Sequence, residues 1–125
     1  MESILSFSTM TELLRVPAGA VVCVKADGNY SSLITIDGNE HVLTLQLGQL
    51  EQRIAGMVEV GDQRFVRIGK SLIVNRDFIS FINVTRQKLC LSDCRTFSQE
   101  LSASREALKA LKEVLENTSA NGIHE

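Results

Sequence analysis

The chain has 125 residues, 44% of them hydrophobic and 22% charged, which sets it among single globular domains large enough to bury a core of their own. No apolar run approaches a membrane span and no charged segment leads into an apolar one, so a cytoplasmic protein is expected. Cys23, Cys90 and Cys94 are an odd number, which argues against a disulfide framework; with His41 and His124 at strand-like and tail positions, no tetrahedral metal site and no cofactor are expected.

The net charge of −2 at first disfavours an anionic partner, but the charges are segregated. Residues 1–62 carry three basic and eight acidic side chains, net −5, whereas residues 63–112 carry ten basic against four acidic, net +6. Local field rather than net charge steers association, so the second half points to an anionic ligand, unless the segregation is chance.

In chain order, residues 1–10 read as a frayed end or one edge strand. Leu13 to Val16 is a short strand stopped by the turn Pro17-Ala18-Gly19. Ala20 to Val24 is a compact apolar run, expected as a central strand, and Asp27-Gly28 supplies turn chemistry after it. Tyr30 to Ile36, the turn Asp37-Gly38 and His41 to Thr44 extend this into an antiparallel meander. Leu47, Leu50, Ile54 and Met57 recur at helical spacing and predict a short amphipathic helix over 47–55, with Gly56 as its stop.

Phe65 to Asn75 is the segment around which the rest is read. Val66, Ile68, Leu72 and Val74 alternate as in half-buried strands, and Gly69-Lys70-Ser71 breaks them into two pieces. A long cation, Lys70, would then stand at an exposed tip beside a small hydroxyl, suited to an anionic partner; the alternative is an ordinary solvated hairpin. Phe78 to Val84 and Lys88 to Leu91 form another predicted hairpin, turning at Thr85-Arg86-Gln87, and Phe97 to Leu101 a last strand. Leu101, Leu108, Leu111 and Leu115 mark a C-terminal helix capped by Ser102 or Ser104, with Glu106 in its first turn. Its apolar stripe serves either core packing or self-association. The result is a mainly β domain with one short central helix and a C-terminal helix. It has no βαβ alternation, no phosphate loop and no nucleophile–histidine constellation, so no enzyme is expected.

Several pieces occur together in a fixed order: Ala26-Asp27-Gly28-Asn29-Tyr30-Ser31, Leu47-Gly48-Gln49-Leu50-Glu51, Phe65 through Asn75, Ile79 with Ile82, and Leu101-Ser102-Ala103-Ser104-Arg105 followed by Leu108-Lys109. As a set they resemble the LytTR DNA-binding domain of bacterial transcriptional regulators, over roughly residues 13–115. The resemblance implies an elongated arrangement of small antiparallel β-sheets whose loops enter successive major grooves of double-stranded DNA, usually at paired direct repeats. It divides the chain into an extension over 1–12, the domain over 13–117 and a polar tail over 118–125. Most members follow a receiver domain; a chain of this length has no room for one, so a stand-alone bacterial regulator is expected, with a protein partner or other input supplying the signal. A homodimer on the paired repeats is expected from the resemblance alone.

Carried over residue by residue, the resemblance places Asn29, Tyr30 and Ser31 in a first contact loop, with Ser31 at the base-reading position. Gly69, Lys70 and Ser71 form a second contact, where members commonly have His-Arg or His-Asn in place of Gly69-Lys70. Lysine still reaches guanine acceptors or phosphate but lacks the bidentate fork of arginine. Arg67 and Arg76 flank this loop as phosphate anchors. Ser104, Arg105 and Glu106 open the last helix, where Arg105 suits phosphate or guanine and Glu106 either accepts from a cytosine amine or supports the helix start. Each has a plainer reading: Ser31 as a strand hydroxyl, Asn29 and Tyr30 as turn residues, Arg105 as a surface residue, Asn75 as the group closing the turn after its strand. The competing function is a protein-interaction module of the same fold that has lost DNA binding, in keeping with the acidic net charge and the changed readers Ser31, Gly69 and Glu106.

Overall fold

The computed structural model describes residues 2–118 of the chain. Ten strands form three antiparallel sheets, with two helices. The strands are β1 (Ile4–Ser8), β2 (Leu13–Pro17), β3 (Val21–Asp27), β4 (Tyr30–Thr35), β5 (Glu40–Leu43), β6 (Phe65–Ile68), β7 (Leu72–Asn75), β8 (Ile79–Asn83), β9 (Lys88–Ser92) and β10 (Ser98–Ser102). The helices are α1 (Leu47–Met57) and α2 (Arg105–Thr118). Hairpin β1-β2 stands alone, β5-β4-β3-β7-β6 make the main sheet, and β10-β9-β8 make the third.

The predicted meander is present as β3-β4-β5, and the apolar run at 20–24 does become the central strand of the main sheet. Strand β3 is buried on both faces, and a bulge explains how. The register with β4 slips between Val21 and Cys23. One extra residue on a strand lets two neighbours share a face. Val21 and Val24 therefore join one hydrophobic cluster, with Leu5, Phe7, Leu33, Leu47, Leu50 and Ile54. Val22 and Cys23 join the other, with Ile68, Leu72, Val74, Leu89, Leu91, Leu101, Leu108 and Leu111. The main sheet is thus the middle layer, covered by β1-β2 and α1 on one face and by the third sheet and α2 on the other. The alternation read in residues 66–74 resolves in the same way, with Val66, Ile68, Leu72 and Val74 all on the α2 side.

Residues 4–8 are not frayed: β1 pairs with β2 from Ile4↔Pro17 to Ser8↔Leu13, and its Leu5 and Phe7 are buried. Gly56 does not stop α1. The helix runs one residue past it to Met57, and the Val58 N–H reaches the Ile54 carbonyl before the chain turns extended. Leu101 belongs to β10, paired with Leu89, and not to the stripe of α2. Ser104 is the N-cap of α2, its hydroxyl accepting from the Ala107 N–H at 3.1 Å. Asn75 does close its strand: its Oδ1 accepts from the Asp77 N–H at 3.0 Å, and its Nδ2 donates to the Val21 carbonyl at 2.9 Å. Of the predicted tail, only residue 118 lies among the described residues.

Candidate nucleic-acid interface

Antiparallel register brings three connections to one end of the main sheet. Strand β3 ends at Asp27 and returns as β4 from Tyr30. Ser31 lies opposite Leu43, so β5 leaves the sheet at this same end and passes through residues 44–46 into α1. Lys25 lies opposite Leu72, which puts the β6–β7 turn, residues 69–71, beside the first two. Local bonds then tie the three together. The Ala26 N–H donates to the Ser71 carbonyl at 2.8 Å, and Gln46 Nε2 donates to Asn29 Oδ1 at 3.2 Å. Ser31 Oγ donates to the Leu45 carbonyl at 2.7 Å.

Ser31 is therefore not a solvent-facing reader. It is 0% exposed, and its hydroxyl holds the β5–α1 connection against β4. Asn29 and Tyr30, by contrast, are exposed at the rim, Tyr30 by half. Lys70 and Ser71 are exposed as well, and Lys70 has no side-chain partner among the described residues. Gly69 sits at φ +60°, a conformation costly for any residue with a Cβ, and a Cβ there would meet nothing within 4 Å. The turn needs glycine for its backbone angle, not for room.

Arg67 does not point outward from this turn but folds over it. Its Nε donates to the Gly69 carbonyl at 3.1 Å and its Nη2 to the Lys70 carbonyl at 3.4 Å, while Nη1 pairs with Glu51 of α1 at 2.8 Å. Arg76 does not flank this turn: it follows Asn75 at the opposite end of β7, where it reaches the Gln63 carbonyl and side chain at 3.4 and 3.5 Å.

The β8–β9 turn and the start of α2 form a second group. Gln87, at φ +57°, exchanges bonds with Ala103: the Ala103 N–H donates to the Gln87 carbonyl at 3.4 Å and Gln87 Nε2 to the Ala103 carbonyl at 3.3 Å. Arg105 clamps the same turn, Nε and Nη2 both donating to the Thr85 carbonyl at 3.2 Å. Ser104, Arg105 and Glu106 are exposed, with Glu106 in the first turn of α2, where a carboxylate favours the helix dipole. A shallow groove runs between the first group and the body of α2, lined by Arg67 and Gly69 on one wall and by Ala107, Ala110 and Val114 on the other.

The basic excess of residues 63–112 is much reduced by internal pairing. Arg64 meets Glu2 at 2.6 Å and Asp77 at 3.7 Å, Lys88 meets Glu100 at 3.7 Å, and Lys112 meets Glu116 at 3.0 Å. The hydrogen bond from Arg64 holds the Glu2 carboxyl below the usual carboxylate range. Among the basic residues of 63–112, Lys70, Arg86, Arg95 and Lys109 keep no side-chain partner among the described residues. Arg95 lies in the β9–β10 connection, at the far end of the third sheet from the Thr85 turn. Sequence reasoning placed Arg86 in a hairpin turn and Lys109 in the resembling set, but made neither a contact residue. The signals that single them out are Arg86 at the centre of a hairpin turn and Lys109 one helical turn beyond Arg105. Gln46, the residue that ties Asn29 in place, was not foreseen either.

Among the described residues, a layered β scaffold presents turns and a helix start, and no two helices pair as a helix-turn-helix. The family model of the LytTr DNA-binding domain matches residues 11–116, and the chain belongs to this family. Among solved structures, the fold is similar to a LytTr DNA-binding domain from Bacillus cereus, with a TM-score of 0.65 at 18% identity, covering 92% of this chain and 98% of the other. No curated protein matches the sequence. The family is a DNA-binding fold, and among the described residues no helix is long and apolar enough to cross a membrane.

Proposed function

We propose that the chain is a transcription regulator that reads double-stranded DNA by sequence, with turns inserted into the major groove. The observation that carries this is Lys70, an unpaired cation at the tip of a rigidly mounted turn, beside exposed Asn29 and Tyr30 on the neighbouring loop. In this reading Lys70 contacts guanine acceptors or phosphate, and Ser71 a phosphate. Asn29 keeps its amide N–H groups for a base edge while Gln46 fixes its oxygen. The second group, with Arg86, Ser104, Arg105 and Lys109, takes the backbone: Arg105 retains Nη1 beyond its clamp on Thr85, and the free N–H groups at the start of α2 suit a phosphate. Arg76, beyond the other end of β7, takes a phosphate apart from the first group. Glu106 supports the helix start. Two copies on paired direct repeats, and a protein partner that supplies the signal, complete the proposal.

The test is selection from fragmented genomic DNA by the purified protein at moderate salt, with sequencing of the retained duplexes. A repeated short motif is expected, with Lys70→Ala weakening binding and relaxing sequence preference and Arg76→Ala weakening all duplexes alike. Each lost phosphate contact should lower the log–log salt slope by about 0.9. Diffuse retention at low salt alone would overturn the reading in favour of a protein-interaction module.

A further inference from the structure

The Gly69–Ser71 turn has few means of fixing its own shape. Gly69 has no side chain, and Lys70 and Ser71 are exposed. One flank is tied to β3 through the Ser71 carbonyl. The other flank is held by Arg67, whose planar guanidinium places three N–H groups at once on Gly69 O, Lys70 O and Glu51 Oε1. Turning two successive carbonyls toward Arg67 fixes both peptide planes, and with them the direction in which the Lys70 side chain leaves the backbone.

Glu51 is the part of this arrangement that gross electrostatics would not place here. A carboxylate one ion pair away from a phosphate-facing turn repels the ligand. Yet it is mounted firmly, on a helix whose Leu50 and Ile54, at 0% and 3% exposed, are buried in the core under the main sheet. Arg67 without that carboxylate is a long, flexible cation beside a polyanion, free to swing out to a phosphate and leave the turn unbraced.

We infer that Glu51 and Arg67 are positioning residues that set the Lys70 turn, so that an acidic side chain on α1 strengthens DNA binding and sequence preference. This deepens the DNA-reading proposal and rests on it. Arg67 acts through the turn and is not a phosphate anchor.

The full chain carrying Glu51→Gln, Arg67→Ala or Lys70→Ala separates the possibilities. Glu51 is half exposed, so its amide variant keeps the fold, and thermal melting checks each protein. Binding is titrated at several salt concentrations against a mixed-sequence duplex and any duplex recovered by selection. Backbone order parameters of residues 69–71 are followed by nuclear magnetic resonance without DNA. Glu51→Gln should weaken binding to a selected duplex about two- to fivefold, although it removes a negative charge, with an unchanged salt slope. Arg67→Ala should weaken it about tenfold, again with the slope unchanged. Both should lower the order parameters in the turn. Equal or tighter binding by Glu51→Gln, or a salt slope about 0.9 lower for Arg67→Ala, would overturn the inference and make Arg67 a phosphate contact. Unchanged order parameters at 69–71 would overturn it independently of DNA. Failure of the unaltered protein to bind, or no effect of Lys70→Ala, counts instead against the DNA-reading proposal.

Discussion

Replacing Ser31 with alanine tests whether its hydroxyl serves the fold or the DNA. The change removes one oxygen from a side chain that is 0% exposed and donates to the Leu45 carbonyl at 2.7 Å. A net hydrogen bond contributes about 1 kcal/mol, and a buried acceptor left without its donor costs about 1–3 kcal/mol. Leu45 is only half buried, so water can reach part of its carbonyl. The expected loss is therefore in the lower half of that range, about 1–2 kcal/mol. For a chain of this size that lowers the melting temperature by about 4–8 °C. Urea unfolding should show a lower midpoint at an unchanged slope, since the same surface is exposed on unfolding. DNA affinity should fall modestly and evenly, through a loosened connection at 44–46, with sequence preference and salt slope intact. Unaltered stability together with a lost preference at one base pair would refute the reasoning and return Ser31 to the readers.

Asn75→Ala strips the donor from the buried Val21 carbonyl and the acceptor from the Asp77 N–H, and should cost about 2–4 kcal/mol by urea unfolding; a variant as stable as the parent would mean water replaces both bonds. Asp93 accepts from the Thr96 hydroxyl and from the N–H groups of Arg95, Thr96 and Phe97, and these bonds hold its carboxyl well below the usual carboxylate range. Its contribution is present above the unfolded pKa of about 4 and is lost as pH falls through the lower folded value. Asp93→Ala should thus lower the melting temperature at neutral pH and progressively less on acidification, and a pH-independent difference would count against the turn. Burial pushes the Cys23 thiol up to about 11, whereas Cys94 is exposed. Iodoacetamide at neutral pH should label Cys94 in the native protein and Cys23 only in denaturant, as read by mass spectrometry; equal native rates would contradict the core placement.

What the sequence disclosed was mostly local. Asp27-Gly28 and Asp37-Gly38 mark tight turns because Gly28 and Gly38 take φ of +62° and +86°, and the apolar run from Ala20 announces a strand with two dry faces. The cap at Ser104 and the turn at Asn75 are likewise written in neighbours two or three residues away. What misled was periodicity at a boundary. Leu101 fits the helical spacing of Leu108, yet its cross-strand partner Leu89 decides its state. Gly56 looked like a terminus because glycine weakens a helix, but the chain had no reason to leave before Val58. The candidate contact residues divide along the same line. Whether Ser31, Arg67 or Arg105 faces out depends on carbonyls or carboxylates at Leu45, Glu51 and Thr85, 14, 16 and 20 residues away. No local pattern encodes those meetings. Lys70 could be read because a turn tip leaves it nowhere else to go.

The bulge in β3 has a consequence for how the molecule comes apart. By sending Val21 and Val24 to one cluster and Val22 and Cys23 to the other, it makes a single strand the party wall of both cores. Neither core can be opened without stripping that wall, so the two halves should melt as one cooperative unit, and the amides of β3 should exchange only through global unfolding. The turns at 28–29 and 69–71 spring from this wall and from the strand beside it, so they inherit the slowest-opening part of the protein as their footing.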